Sequence, residues 1–226
     1  MHRQLVPFRL PYRWEDYSMI RSTATGGITA VLLVTSFAIS AKAAIGDSLV
    51  VAQSGKPEAA FSRFRVRAAT GDSNAQIYLG ELYRHGLDIT WDAHKAFGWH
   101  LKAAQQGNIT GLSNVGSAYF YGLGVPLDYS EASVWYLKAA RKGDPTAISN
   151  LGTMYMNGYG VSRDPVRAYM WFTIGAHLGD SDARAQSSDV RNRLTTLEIQ
   201  KALDLVNDQL AKFNPLTTPA QGGTER

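Results

Sequence analysis

Residues 108–143 read NITGLSNVGSAYFYGLGVPLDYSEASVWYLKAARKG. Their landmarks are Val115-Gly116, Tyr119, Gly122, Gly124, Val125, Asp128, Ala132, Trp135, the run Lys138-Ala139-Ala140, and Gly143. A step of 36 residues towards the N-terminus meets Leu79-Gly80, Tyr83, Gly86, Asp92, Ala96, Trp99, Lys102-Ala103-Ala104 and Gly107. The same step forward meets Leu151-Gly152, Tyr155, Gly158, Gly160, Val161, Asp164, Ala168, Trp171, Ala176 and Gly179. Three copies in register without an insertion define an internal repeat, and such a period belongs to stacked helical units.

Each copy reads as two helices. The first spans about Ala75–Arg84, Thr110–Phe120 and Thr146–Met156; Ala147, Ile148, Leu151, Met154 and Tyr155 fall on one face at helical spacing. The second spans about Ala93–Ala104, Tyr129–Ala140 and Pro165–Ala176. Asp72, Asn108, Asp144 and Asp180 are placed to cap the first helices and Asp92, Asp128 and Asp164 the second, with Pro145 and Pro165 directly after their caps. Gly107, Gly143 and Gly179 end the second helices, and the Gly-x-Gly-Val turn demands positive φ at its glycines. Asp88 replaces one of those glycines in the first copy, so that turn is expected to be strained. Small residues at Gly80, Gly116, Gly152 and at Ala96, Ala132, Ala168 are expected to let paired helices approach closely, with the Tyr and Trp rings packed between units.

The pattern frays at both ends, as terminal repeats do. Residues 58–71 form a half-repeat with Arg63 in place of the tryptophan and Val66 in place of the lysine. After the copies at 72–107, 108–143 and 144–179, residues 180–213 read as capping helices, with a Thr195/Glu198 capping box and a stripe of Ile199, Ala202, Leu203, Val206, Leu210 and Phe213. Residues 214–226, with Pro215, Pro219 and Gly222-Gly223, read as a disordered tail, and residues 44–57 as a linker.

Ahead of the repeats, Ile28–Ile39 is an apolar run preceded by Arg21 and followed by Ala41-Lys42-Ala43, the pattern of a secretory signal with cleavage before Ala44. The run is shorter than the roughly 20 apolar residues of a membrane span. Residues 1–18, with Pro7, Pro11, Glu15 and Asp16, suit a signal start poorly, whereas a start at Met19 gives residues 19–43 a conventional form. The expected address is periplasmic or secreted. An uncleaved signal-anchor tethering the chain to a membrane is the alternative.

The chain has 226 residues, is 45% hydrophobic and carries a net charge of +4. Residues 1–43 hold a net +3 of that, which leaves the repeats nearly neutral and without the basic footprint of a nucleic-acid binder. The absence of cysteine removes disulfides, thiolate metal sites and cysteine nucleophiles. His85, His94, His100 and His177 show no metal-ligand spacing, and no Ser-His-Asp set, carboxylate pair or G-x-S-x-G elbow is present. No catalytic residue, cofactor or metal is expected.

The repeated Leu-Gly, Tyr, Gly-x-Gly-Val, Asp, Ala, Trp, Lys-Ala-Ala and Gly landmarks resemble the Sel1-like repeat, a relative of the tetratricopeptide repeat. The resemblance covers about residues 56–180. It implies an all-α fold, a right-handed α-solenoid whose concave face binds proteins or peptides; exported bacterial members act as adaptors or regulators in the envelope. A fold alone does not settle function. Cysteine-rich relatives proposed to bind penicillin offer no guide, since this chain lacks cysteine and S-x-x-K.

Packing and turns account for the landmarks, including Trp99, Trp135 and Trp171; Trp91 lies outside the pattern. Specificity is therefore expected where the first helices break the period. Those protein-binding candidates are Tyr78, Glu81 and His85, then Asn114, Ser117 and Tyr121, then Asn150, Thr153 and Asn157, with Phe120, Met156 and Tyr159 adding apolar contact near the turns. Asn side chains offer both donor and acceptor to a peptide backbone. The expected function is a non-catalytic scaffold, adaptor or regulator for a protein or peptide partner in the cell envelope. The alternative is a binder or enzyme acting on cell-wall glycan or peptide.

Overall fold

The computed structural model describes residues 57–86 and 90–213. The signal-like run, the possible start at Met19, most of the linker, Asp88 and the tail lie outside them. The secondary structure of the described residues is helical throughout, nine helices in two compact units.

The unit of residues 57–108 contains α1 (Pro57–Ala69), α2 (Ser73–His85) and α3 (Ala93–Gln105). Helix α2 packs between α1 and α3. Its core is Phe64, Ala68, Ala75, Leu79 and Leu82, with Phe61, Tyr78 and Trp99 laid against it. Asp72 caps α2 by accepting from the amides of Asn74 and Ala75, and Asp92 caps α3 through Lys95 N.

The unit of residues 109–213 contains α4 (Ile109–Tyr121), α5 (Tyr129–Ala140), α6 (Pro145–Asn157), α7 (Pro165–His177), α8 (Ser181–Arg191) and α9 (Thr196–Phe213). Consecutive helices from α4 to α8 pack pairwise, and α9 returns onto α7. Asp128, Asp144, Asp164 and Asp180 cap their helices as the spacing predicts. Two of them do more. Asp144 also accepts from Ser113 Oγ at 3.1 Å and Asp180 from Ser149 Oγ at 2.8 Å, tying each cap to the preceding copy. The Thr195/Glu198 capping box forms, with Thr195 N donating to Glu198 at 2.8 Å and Glu198 N to Thr195 Oγ1 at 3.3 Å. Ala202 and Val206 of α9 are buried, while Phe213 falls beyond the described side chains.

The Leu-Gly glycine accommodates a ring from the second helix. A Cβ on Gly80 would lie 2.2 Å from His100 Nε2, one on Gly116 2.8 Å from the Tyr136 ring, and one on Gly152 2.5 Å from the Phe172 ring. His100, Tyr136 and Phe172 occupy one repeat position, directly after the tryptophan. They are the buried rings of the hairpins, at 2%, 0% and 0% exposure. The tryptophans pack to different degrees. Trp99 and Trp135 are half-buried, with Lys102 and Lys138 ammonium groups 4.1 and 3.9 Å from their ring centroids. Trp171 is buried where the lysine is replaced by buried Ile174. Gly175 follows because α8 comes close: a Cβ there would sit 2.8 Å from Ala183 Cβ.

Gly160 satisfies two demands. Its φ is +64°, and a Cβ would meet the Tyr129 carbonyl carbon at 2.2 Å. The turn after α6 is thereby pressed onto the start of α5, where Ser130 Oγ donates to Gly160 O at 3.3 Å.

Candidate functional site

The first helices are more enclosed than their periodicity suggests. Burial runs unbroken from Gly111 to Ala118 in α4 and from Ala147 to Met154 in α6. Helix α6 has α5 on one side and α7 on the other, so its second face is covered as well as its apolar one. This corrects the expected binding stripe. Asn114, Ser117, Asn150 and Thr153 are at most 6% exposed and offer nothing to a partner. Ser117 Oγ instead shares a 2.9 Å hydrogen bond with Tyr136 Oη, and Thr153 Oγ1 donates to Ser149 O at 3.2 Å. Burial pushes the Tyr136 phenol far above its ordinary range, against the pull of the Ser117 bond. Phe120 and Met156 are buried too. Tyr121, Asn157 and Tyr159 remain half-buried.

In the other unit Tyr78 lies 4.1 Å, centroid to centroid, from Phe64. Glu81 and His85 join a charged cluster with Arg84 and His100. Glu81 Oε1 lies 3.2 Å from His100 Nε2; Oε2 lies 3.2 Å from His85 Nε2 and accepts from Arg84 Nε at 3.0 Å. Burial raises the Glu81 carboxyl, but the bonds to His100 and His85 and the charges of Arg84 and His100 outweigh it. The carboxyl is held well below its usual value of 4.5. Glu81 faces His100 as Ser117 faces Tyr136; in the third copy Thr153 takes this first-helix position and Phe172 the ring position, and Thr153 donates to Ser149 O instead. At Glu81 and Ser117 the departures from the period are therefore matched interior pairs. Among the described residues, no cluster of three or more His, Asp or Glu is placed to hold a metal ion.

At the turns of the 109–213 unit, aromatic rings from two successive copies come together. Phe120 packs its ring against Tyr121, Tyr129 and Tyr159 at centroid distances of 5.0, 4.8 and 5.7 Å. Tyr129 and Tyr159 stack at 5.2 Å and 30°, joining two successive copies. Burial and the neighbouring Tyr129 push the Tyr121 phenol up to about 12, so it is a neutral hydrogen-bonding group at physiological pH. Beside the rings, Leu123 and Leu127 are 39% and 54% exposed. The turn bearing Tyr159 continues into a cleft of about 470 Å³ lined by Tyr155, Val161, Ser162, Arg163, Asp164 and Arg167.

Periodicity gave no reason to select Tyr129, Leu127, Arg163 or Arg167. The available signal was the loss of period: Tyr129 stands where the flanking copies have Ala93 and Pro165, and Arg163 where they have Trp91 and Leu127. Trp91, outside the pattern, is 62% exposed. The face combines apolar contact, neutral hydroxyls and guanidinium groups, the ingredients of a protein-binding surface.

No curated protein matches the chain. A family model described as the Sel1 repeat matches residues 73–108, 110–144 and 145–180. A crystal structure of a Sel1 repeat protein from Oxalobacter formigenes is similar at 31% identity and a TM-score of 0.52, covering 57% of this chain and 96% of that one. A protective antigen of uropathogenic Escherichia coli with an SLR fold is similar at 26% identity and a TM-score of 0.46, covering 76% of this chain and 46% of that one. This chain thus spans under half of the antigen. Three helix hairpins with the same landmarks, three matched repeats and a solved relative spanned almost end to end agree with the helical-repeat solenoid expected from the sequence: the chain belongs to the Sel1 repeat family, whose members are generally protein-interaction scaffolds.

Proposed function

We propose that this protein is an exported, non-catalytic adaptor that binds a protein partner through the turn edge of residues 109–213. The observation that carries this reading is the distribution of side chains. The repeat landmarks and interior pairs serve packing, whereas Tyr121, Tyr129 and Tyr159 remain half-buried beside exposed Leu123 and Leu127. Single exposed apolar residues are ordinary on a surface, but here Tyr129 and Tyr159 from successive copies stack on each other, and Leu123 and Leu127 lie in the turn that leads into Tyr129. The apolar run Ile28–Ile39 followed by Ala41-Lys42-Ala43 supports export.

The test is affinity capture from an envelope fraction with the wild-type chain and with Leu123→Asp/Leu127→Asp. The variant is expected to keep the wild-type melting curve and lose the partner. Equal capture by both proteins, or retention only of isolated peptidoglycan or its fragments, contradicts the reading. N-terminal sequencing of the exported protein should give Ala44; an intact apolar run in a membrane fraction would instead establish a tether.

A further inference from the structure

Resting on that interaction reading, we propose that the cleft beside Tyr159 is a carboxylate-binding subsite for an acidic peptide segment of the partner. The cleft holds two guanidinium groups and one carboxylate. Asp164 is already committed: one oxygen caps α7 through Arg167 N at 3.0 Å, and the other lies 3.5 Å from Arg167 Nε. Arg167 also lies 5.5 Å over the Tyr155 ring and reaches Tyr155 Oη at 3.4 Å. Arg163 is held by its Nε, which donates to Met156 O at 3.0 Å. Among the described residues no carboxylate forms an ion pair with Arg163, so the cleft keeps a positive charge on a side chain whose root is fixed. A guanidinium anchored in this way can offer a planar carboxylate two parallel N–H donors.

Comparison with the preceding copy shows that packing does not impose this chemistry. Ser162, Arg163 and Arg167 stand where the second copy has Pro126, Leu127 and Glu131. The same turn geometry therefore accommodates an apolar residue and an acid. The third copy replaces them with two arginines, moving the side-chain charge at these positions from −1 to +2. An acidic segment fits by charge complementarity. A peptide suits the neighbouring rings better than a sugar does, because Tyr129 and Tyr159 stack on each other and each turns a face inward. An apolar peptide side chain would pack along their edges and Leu123 while the adjacent carboxylate entered the cleft.

The test uses the full chain and two fluorescein-labelled pools of short peptides. One pool carries Asp or Glu next to Phe or Tyr; the other carries Asn or Gln in the same places. Fluorescence anisotropy should show binding of the acidic pool only, weakening at raised salt. Arg163→Leu/Arg167→Glu, which installs the second copy's residues, should weaken it about tenfold, the scale of two solvent-accessible charge contacts. A melting curve verifies that the variant is folded, and Arg163→Lys, which keeps charge but loses the fork, should fall in between. Equal binding of both pools, no binding of either, or unchanged affinity in the double variant overturns the proposal. So does a uronic-acid oligosaccharide that binds in place of the acidic pool. The two readings separate cleanly: loss of the envelope partner in Leu123→Asp/Leu127→Asp but not in the arginine variant keeps the adaptor and removes the carboxylate subsite.

Discussion

Glu81 and His100 show how one repeat position can change its chemistry without changing the fold. In α2 and α4 the residue after the glycine meets a buried ring from the second helix, and that partner is a carboxylate for imidazole or a hydroxyl for phenol. The Glu81 carboxyl is depressed below 4.5 in the folded chain, so it binds fewer protons there than when unfolded. Its stabilisation is therefore fully present above the unfolded value and is lost as pH falls through the folded one. Glu81→Gln should cost about 3 kcal/mol at neutral pH, the range for breaking a buried pair, and much less in acid. Urea titrations monitored by hydrogen exchange of α2 and α3 would measure this; an equal loss at both pH values would contradict the assignment. The nine binding candidates were legible as departures from the period, but their destination was not. Sequence spacing gives the face of a helix, whereas the cover supplied to α6 by both α5 and α7 is a tertiary fact.

For the elements, the sequence carried nearly all the information: hairpin order, Asp caps, the capping box and the turn glycines follow from local chemistry. The ring opposite each Leu-Gly glycine did not, because pairing across a hairpin depends on its register. Gly152→Ala should cost about 1–3 kcal/mol by driving a methyl into the Phe172 ring. Gly98→Ala is the control: it lies within α3, with nothing within 4 Å of its added Cβ, and should be neutral or stabilise by up to about 1 kcal/mol. Thermal melts of the pair check the contrast, and similar losses in both would contradict the glycine–ring contact. The end of the stack makes a third prediction. Ile174→Lys restores the usual residue but places an ammonium at a site with 0% exposure. It should destabilise the chain by several kcal/mol and increase exchange in α8 and α9, since a buried charge without a partner is costly. A wild-type melting temperature would show that these helices do not cover the third copy.

At the scale of the whole molecule, the most recognisable residues are the least informative about a partner. The Sel1 landmarks build hairpins and turns, while the surface proposed to meet a partner draws on Tyr129, Leu127, Arg163 and Arg167, where the copies disagree. That explains why fold and family were legible from 36-residue periodicity while the candidate face was not: a period reports what the copies share. The central proposal to test is that the turn edge of residues 109–213 meets a protein in the cell. Photo-crosslinking residues placed at Leu123 and Tyr159, with a control at Leu197, which is 80% exposed on α9, measure this directly. A discrete protein adduct is expected from Leu123 and Tyr159 and none from Leu197; no protein adduct from the turn positions, or the same adducts from Leu197, would contradict binding at this edge.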